Sequence, residues 1–205
     1  MKLPLFPLNL VCFPDENVNL HIFEPRYKQL INESWENNTT FGIPAFIDGK
    51  LMPIGTEIRV KEIVNISEKG EMDIKTKALR TFDVLEFHQT LPDKLYAGGT
   101  ISFREDLDNS DEELHTKIQE RLQNLYVQLG VAKELKYKRT FDVAHYVGFT
   151  VQEEYRLLQT DNEKDRQVLL LNHLDRIIPA IVRAKKIRER MQMNGHFKNL
   201  DKLDI

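Results

Sequence analysis

Apolar residues alternate with polar ones through the first half of the chain. In residues 17–23, the apolar Val18, Leu20 and Ile22 alternate with the polar residues 17, 19 and 21, which is the period of two expected of a half-buried strand. Similar segments, bounded by turn residues such as Asp48-Gly49, lie at 40–47, 57–67, 72–78, 81–88 and 99–105. Roughly six or seven such strands close most economically into a small barrel, because closure removes exposed sheet edges.

One helix interrupts these strands. Glu24-Pro25 ends the first strand, and proline favours the first helical position because its missing N–H has no helical partner there. A helix is therefore predicted over residues 25–37. Its inward-facing stripe is predicted to consist of Tyr27, Leu30, Ile31 and Ser34.

The second half of the chain has helical spacing instead. Three Ser/Thr-to-Glu pairs have the spacing of capping boxes and predict helix starts: Ser110/Glu113, Thr150/Glu153 and Thr160/Glu163. Leu114, Ile118, Leu122, Leu125 and Leu129 stripe the first helix, and Gly130 is placed to end it. Leu170, Leu174, Ile177 and Ile181 stripe the last.

The last helix contains Pro179, which predicts a bend there, and the tail after Gly195 is predicted to fray. The pattern as a whole predicts an α+β protein. Its parts are a β-barrel subdomain with one inserted helix (1–105), a helical bundle subdomain with a long, bent last helix (106–195) and a tail (196–205).

Composition and charge narrow the function classes. The 205 residues include 29 basic and 32 acidic ones, so the net charge of −3 offers no general attraction for nucleic acid. Cys12 is the single cysteine, which excludes an intramolecular disulfide. No apolar run reaches the roughly 18 residues of a membrane helix, and no signal peptide is recognisable, so a cytoplasmic location is predicted.

Motifs that carry catalytic chemistry are missing from the sequence. The pair Gly49-Lys50 is followed by Leu51, which does not fit a phosphate-binding loop, and no serine lies in a Gly-x-Ser-x-Gly elbow. The six histidines are scattered, without the spacing of four that a metalloprotease motif needs. The sequence therefore predicts a non-catalytic protein with neither cofactor nor metal.

One local cluster is basic: it consists of Arg183, Lys185, Lys186, Arg188 and Arg190. Cations stabilise a helix C-terminus by interacting with its dipole. The cluster is therefore interpreted as structural in preference to a phosphate-binding stripe. No aromatic residues alternate with the cluster to stack on bases.

Two ordered motifs carry a family resemblance. Residues 3–8 (LPLFPL) with Phe13-Pro14, followed by residues 20–27 (LHIFEPRY), resemble the opening of the Lon protease N-terminal domain. The resemblance continues in order through residues 41–43, 55–56, 79–82 and 144–149, and it covers residue 3 to about residue 190.

This resemblance implies a pseudouridine-synthase-and-archaeosine-transglycosylase-like (PUA-like) barrel followed by a helical bundle. It also implies a role in recognising exposed, often unfolded, polypeptide segments. Because the chain is too short for the ATPase and peptidase modules of Lon, a stand-alone, non-catalytic binding module is predicted. Its predicted partners are unfolded or partner proteins, such as a protease or a chaperone; RNA binding, by analogy with other PUA-type barrels, is the alternative.

Two sets of site residues follow. The motif residues Phe23, Glu24, Pro25, Arg26 and Tyr27 are interpreted as structural, with Phe23 and Tyr27 packing on either side of the helix start. A peptide groove is predicted at aromatic and methionine residues near strand ends, namely Phe6, Phe13, Phe46, Met52 and Tyr96.

Overall fold

The computed structural model describes residues 1–131 and 137–198, with side chains described up to residue 192. Within these residues the strands are β1 (Lys2–Leu5), β2 (Asn17–Ile22), β3 (Phe41–Ile47), β4 (Lys50–Ile66), β5 (Met72–His88) and β6 (Ala97–Phe103). The α-helices are α1 (Pro25–Glu36), α2 (Glu112–Leu129), α3 (Val151–Gln159) and α4 (Glu163–Lys198), with short 3₁₀ turns at Thr140–Asp142 and Ala144–Tyr146. The predicted α+β class is confirmed.

The strands form one sheet in the order β2-β5-β4-β3-β1-β6, and β6 also pairs with β5. This last pairing closes β5, β4, β3, β1 and β6 into a ring, so the predicted barrel is confirmed. β5 serves both parts of the sheet, because its residues 72–77 pair with β2 and its residues 82–88 pair with β6. Strand β2 lies outside the ring and extends it on one side.

Three strand predictions differ from the structure. β4 begins at Lys50, seven residues before the predicted segment 57–67. The segments 72–78 and 81–88 belong to the single strand β5, and β1 was not predicted. β1 contains Pro4, whose missing N–H argues against a strand, yet β1 pairs in parallel with β3 and antiparallel with β6. Its apolar residues Leu3 and Leu5 are buried in the ring.

The core has two clusters of apolar residues. The larger one lies between α1 and the strands β2, β4 and β5, and the predicted stripe of α1 is confirmed because its four residues are all buried. The smaller one lies in the ring around Phe82. Phe82 fits there because Gly42 and Gly55 have no side chain: a Cβ added at Gly42 would lie 2.5 Å from Phe82 Cζ.

The chain divides into two compact units. The first consists of Met1–Asp108 and Ala144–Asn162, and the second of Asn109–Val143 and Glu163–Ile205. Residues 144–162 were predicted to belong to the helical bundle, but they group with the barrel. The cause is tertiary contact: the Ile54 N–H donates to the Tyr155 hydroxyl at 3.0 Å, and Arg104 pairs with both Asp83 and Asp161.

Helix starts show where sequence signals were ambiguous. The Thr150/Glu153 capping box is confirmed. At α2, however, Asp111 is the cap residue in place of Ser110, since its carboxylate accepts the N–H groups of Glu113 and Leu114. Serine and aspartate are nearly equal as caps, so the sequence does not separate neighbouring candidates.

Helix α4 also differs from its prediction. Glu163 is its first residue and is fully buried; the carboxylate accepts hydrogen bonds from the Thr140 N–H and hydroxyl and from Arg166 Nε. A tertiary network therefore takes the place of the predicted Thr160/Glu163 box. The helix continues through Pro179 and Gly195 to Lys198, and residues 199–205 of the predicted tail lie outside the described residues.

Candidate functional site

The motif at the start of α1 is held by its own side chains. Pro25 occupies the first helical turn, and the Glu24 carboxylate pairs with the Arg26 guanidinium at 2.8 Å. Tyr27 is buried and stacks on Phe6 with 3.6 Å between the ring centroids, and the Arg26 guanidinium lies 4.5 Å from the Tyr27 ring. These contacts fit the structural role predicted for the four residues 24–27.

Phe23 differs from the rest of this motif. Its side chain is 59% exposed, so it does not pack at the helix start as the sequence suggested. It directly follows Ile22, which pairs with Met72 of β5, and Met72 pairs in turn with Ile66 of β4. Phe23 and Ile66 thus lie at the same end of the three-stranded part of the sheet.

Ile66 and its neighbour Val64 are also exposed, by 59% and 51%. We call Phe23, Val64 and Ile66, which share this end of the sheet, the hairpin-end patch. Ile66 pairs with Met72 and so lies on the face of Ile22, whereas the Phe23 ring lies 6.1 Å from that of His21 on the other face. Sequence analysis missed Val64 and Ile66 because a strand pattern does not say how far a hairpin extends beyond its core. The signal was the apolar pair Ile63-Val64, which breaks the alternation of β4.

Two polar contacts hold the strands and the turn next to the hairpin-end patch. His21 Nδ1 lies 2.8 Å from Asp73 Oδ1, and this hydrogen bond keeps the pKa of the Asp73 carboxyl below its ordinary value. The Lys28 ammonium donates to the Lys69 carbonyl at 2.8 Å and ties α1 to the hairpin turn.

The five residues of the predicted groove are not equivalent in the structure. Phe6, Phe13 and Tyr96 are buried in the first unit, so their side chains have almost no surface for a ligand in this conformation. Phe46 is 40% exposed and Met52 is partly buried. Aromatic residues near strand ends cover the core here, a role that sequence position alone does not distinguish from ligand contact.

Tyr96 illustrates this structural role. Its hydroxyl donates to the Glu33 carboxylate of α1 at 2.6 Å, and the Lys94 ammonium binds the same carboxylate at 2.8 Å. These hydrogen bonds lower the pKa of Glu33, while burial and the Glu33 charge raise that of Tyr96. The pair anchors the β5–β6 loop on α1.

His145 is a second structural group of the first unit. Its ring nitrogens lie 2.8 Å from Glu154 and 3.0 Å from Glu16, and its ring packs 4.9 Å from that of Phe13. The two carboxylates raise its pKa to about 9. At neutral pH the imidazolium therefore joins α3 to the segment that precedes β2.

Groups with potential reactivity are few. Cys12 is buried, and its burial, followed by the Glu16 charge, raises the pKa of the thiol well above its ordinary value, which leaves little thiolate for nucleophilic attack. Among residues 1–131 and 137–198, no group of three or more histidine, cysteine or acidic side chains is arranged to hold a metal ion. In the same residues, no helix combines the length and hydropathy needed to cross a bilayer.

A cavity of about 430 Å³ lies on the first unit beside β1, β6 and the β5–β6 loop. Leu91, one of its lining residues, packs on Gly98, where an added Cβ would lie 2.6 Å from the leucine side chain. None of the predicted groove residues lines it. The lining residues are Lys2, Leu3, Pro4, His88, Thr90, Leu91, Pro92, Gly99 and Thr100.

The basic cluster of the second unit is exposed along α4 at every one of its five positions. The helix continues for eight residues beyond Arg190, so the helix C-terminus does not account for the cluster: its dipole acts mainly on the last turn. At about 100° per residue, the five side chains are distributed around the helix and do not form one stripe. This distribution is typical of a solvated helix.

Comparisons with known proteins agree with this architecture. The Lon N-terminal domain protein from Xanthomonas campestris is 25% identical, with a TM-score of 0.64, and the match covers 84% of this chain and 98% of that one. The N-terminal domain of a Mycobacterium avium complex Lon protease shares the fold at 11% identity, with a TM-score of 0.68 and coverage of 85% and 98%.

Curated proteins provide no match to the sequence. The family model of the ATP-dependent protease La (LON) substrate-binding domain matches residues 2–176, which is most of the chain. The matched length includes the motif at the start of α1 and the strands that carry the hairpin-end patch. The chain therefore belongs to the LON substrate-binding domain family.

Proposed function

We propose that this protein is a non-catalytic polypeptide-binding module that binds unfolded or partner proteins through the hairpin-end patch. Membership in a substrate-binding domain family supports a substrate-recognition role. The proposal goes further in naming the surface and the kind of partner. It depends above all on the exposure of Phe23 in a motif whose neighbouring side chains are engaged in the fold.

Exposed apolar side chains are what such a partner requires. Unfolded chains present apolar residues that folded proteins bury, and burying one phenylalanine side chain in a contact contributes about 1.5–3 kcal/mol. Phe23, Val64 and Ile66 give three such contacts at one end of the sheet.

The test is a fluorescence anisotropy titration with a dye-labelled model protein that is kept unfolded by reduction and carboxymethylation. Saturable binding is expected for the wild-type chain. Phe23→Ser and Ile66→Ser should each weaken it by about tenfold or more, since each removes a buried apolar contact.

Leu85→Ser is the matched control, because Leu85 is 63% exposed and lies near the other end of β5. It should leave affinity unchanged. Absence of saturable binding, or equal losses in all three variants, would contradict the proposal. Strongly salt-dependent binding of single-stranded RNA in place of protein would support the alternative.

A further inference from the structure

The sheet of the first unit has two edges outside the ring, and they differ in protection. β2 pairs on one side with β5, and no other described strand lies on its opposite side. The β4 residues 59–66 likewise pair with β5, while β3 ends its pairing with β4 at Ile58. Both edges therefore belong to the three-stranded extension formed by β2, β5 and β4.

The β4 edge carries features that oppose pairing with another chain. Register shifts lie between Val60 and Glu62 and between Ile63 and Asn65, and bulges of this kind twist an edge away from a straight partner. Arg59, Lys61 and Glu62 add charges. Natural sheets use both devices to prevent edge-to-edge association.

The β2 edge has neither device. Its six residues pair with β5 without any register shift, and its exposed residues Asn17, Asn19 and His21 include no lysine, arginine or acidic residue. β2 also contains no proline. A straight, uncharged edge strand of about 20 Å is well suited to accept a further strand.

The hydrogen-bonding pattern shows which groups β2 presents. Just before β2, the Ala78 N–H donates to the Glu16 carbonyl, and the Ala78 carbonyl accepts from the Asp15 N–H. The first of these bonds places Glu16 and Ala78 at a bonded position of the ladder. Because bonded and non-bonded pairs alternate in an antiparallel ladder, Val18, Leu20 and Ile22 bond to β5. Asn17, Asn19 and His21 then each direct one N–H and one C=O away from the sheet.

We infer that β2 binds an extended polypeptide segment as an added strand, so that the sheet continues onto the bound chain. This inference rests on the proposed function and specifies its substrate class: extended segments with apolar residues at alternate positions. Backbone hydrogen bonds to Asn17, Asn19 and His21 would provide affinity that does not depend on sequence. The half-buried side chains of Val18 and Leu20 would contact the apolar residues of the segment.

The residue next to the β2 edge indicates which kind of chain binds there. β2 ends at Ile22, and the next residue is Phe23 of the hairpin-end patch. One extended segment can therefore pair with β2 and continue onto Phe23. A second copy of the chain paired through its own β2 is the competing occupant, and the experiment separates the two.

The first measurement is amide hydrogen exchange on the wild-type chain with and without a peptide of about eight residues in which valine and threonine alternate. The amides of Asn17, Asn19 and His21 should gain at least about tenfold protection on binding. Those of Val18 and Leu20 should change little, because they already bond to β5. A peptide of the same length with proline at alternate positions should give no protection.

The second measurement is the affinity of Asn19→Pro for the same peptide. The substitution removes an outward N–H and no β2–β5 bond, so the fold should be retained while affinity falls by about tenfold, or about 1.4 kcal/mol. Asn19→Thr keeps the N–H and should bind as the wild type does.

The outcomes distinguish this inference from the proposed function. Binding that is sensitive to Phe23→Ser, without new protection at Asn17, Asn19 and His21, would overturn strand addition and leave the proposed function intact. No binding of any unfolded chain or peptide would overturn both. A stable dimer in sedimentation, lost in Asn19→Pro, would identify the second copy as the occupant and overturn the inference.

Discussion

The closed ring and the three-stranded extension of the first unit share β4 and β5. They differ in how many strands are paired on both sides and in how many apolar side chains are buried. In the ring, each strand pairs with a neighbour on both sides, and Phe82 packs on Gly42 and Gly55. In the extension, β2 and the end of β4 have one paired side each, and Phe23 and Ile66 are exposed.

Under the proposed function, β5 serves stability at one end and recognition at the other. A closed ring has no unpaired strand edge to which another chain could bind, so its role is to make the fold rigid. The extension keeps polar backbone groups and apolar side chains accessible. Exposed apolar side chains favour association with other chains unless a partner covers them. Substitutions should therefore reduce stability in the ring and reduce binding in the extension.

The largest expected difference in stability is between alanine substitutions at two glycines. Gly55→Ala in the ring would place a Cβ 2.6 Å from Pro44 Cα and 2.7 Å from the Ile43 carbonyl oxygen, and backbone cannot move aside cheaply. We expect a loss of about 3 kcal/mol in the free energy of unfolding. Urea unfolding followed through Trp35, the single tryptophan, measures it in the first unit.

Gly70→Ala in the hairpin turn is the matched change in the extension. Apart from the adjoining residues, the nearest atom to a Cβ there in the described part of the chain is Lys28 Nζ at 3.9 Å, so the cost is the positive φ of 69°, about 1 kcal/mol. Equal losses at Gly55 and Gly70 would contradict the distinction between ring and extension.

Two glutamates of β4 give a smaller contrast. Glu57 is buried and accepts from the Thr40 hydroxyl at 2.7 Å and from Arg80 Nε at 2.9 Å. Glu57→Gln should cost about 2 kcal/mol, because an amide cannot satisfy both donors as the carboxylate does. Differential scanning calorimetry of the variant would show the lower melting temperature.

Glu62→Gln is its counterpart in the extension. Glu62 pairs with Lys75 at 2.9 Å, but both side chains are more than half exposed. Such surface pairs contribute little, so the change should be below about 0.5 kcal/mol. A loss as large as that of Glu57→Gln would mean that the extension is as tightly held as the ring.

The last expected effect concerns pH. The pKa of His145 is raised from 6.5 to about 9 in the folded protein, so protonation favours folding. Its contribution is complete below pH 6.5 and is lost as pH rises through about 9. Since the side chain is 35% exposed, we expect about 1 kcal/mol after screening.

His145→Gln should therefore unfold more easily than the wild type at pH 6, with the difference vanishing near pH 10. Parallel urea titrations across this range measure it. Peptide binding should be unchanged in the variant at neutral pH, since His145 contacts neither β2 nor the hairpin-end patch among the contacts described. A pH-independent difference would mean that the residue acts through packing on Phe13 alone.

Local signals in the sequence were sufficient for several elements. Pro25 and the spacing of apolar residues predicted α1 and its buried stripe, and Thr150 with Glu153 predicted the start of α3. These features depend only on residues that lie within a few positions of each other in the sequence. Asp111 in place of Ser110, and the buried Glu163, show the limit: a cap or a buried carboxylate depends on which groups the rest of the fold brings near.

The candidate site shows the same limit more clearly. Phe6, Phe13 and Tyr96 are aromatic residues near strand ends, as Phe46 is, and only the packing of the whole first unit determines that the first three are buried. Val64 and Ile66 are exposed because the hairpin extends beyond the ring. The sequence shows only that the alternation of β4 breaks at Ile63-Val64, and it does not show which of these aromatic and apolar side chains are exposed.

By itself the sequence determined the periodicity of the strands and helices, the breaks between them and the family resemblance, because these depend on the order of neighbouring residues. Tertiary structure alone decided which sheet edge is unprotected, which aromatic side chains are exposed and which helix joins the barrel. The physical reason is that exposure and edge pairing are set by contacts between residues far apart in the chain, and those contacts exist only once the sheet has closed.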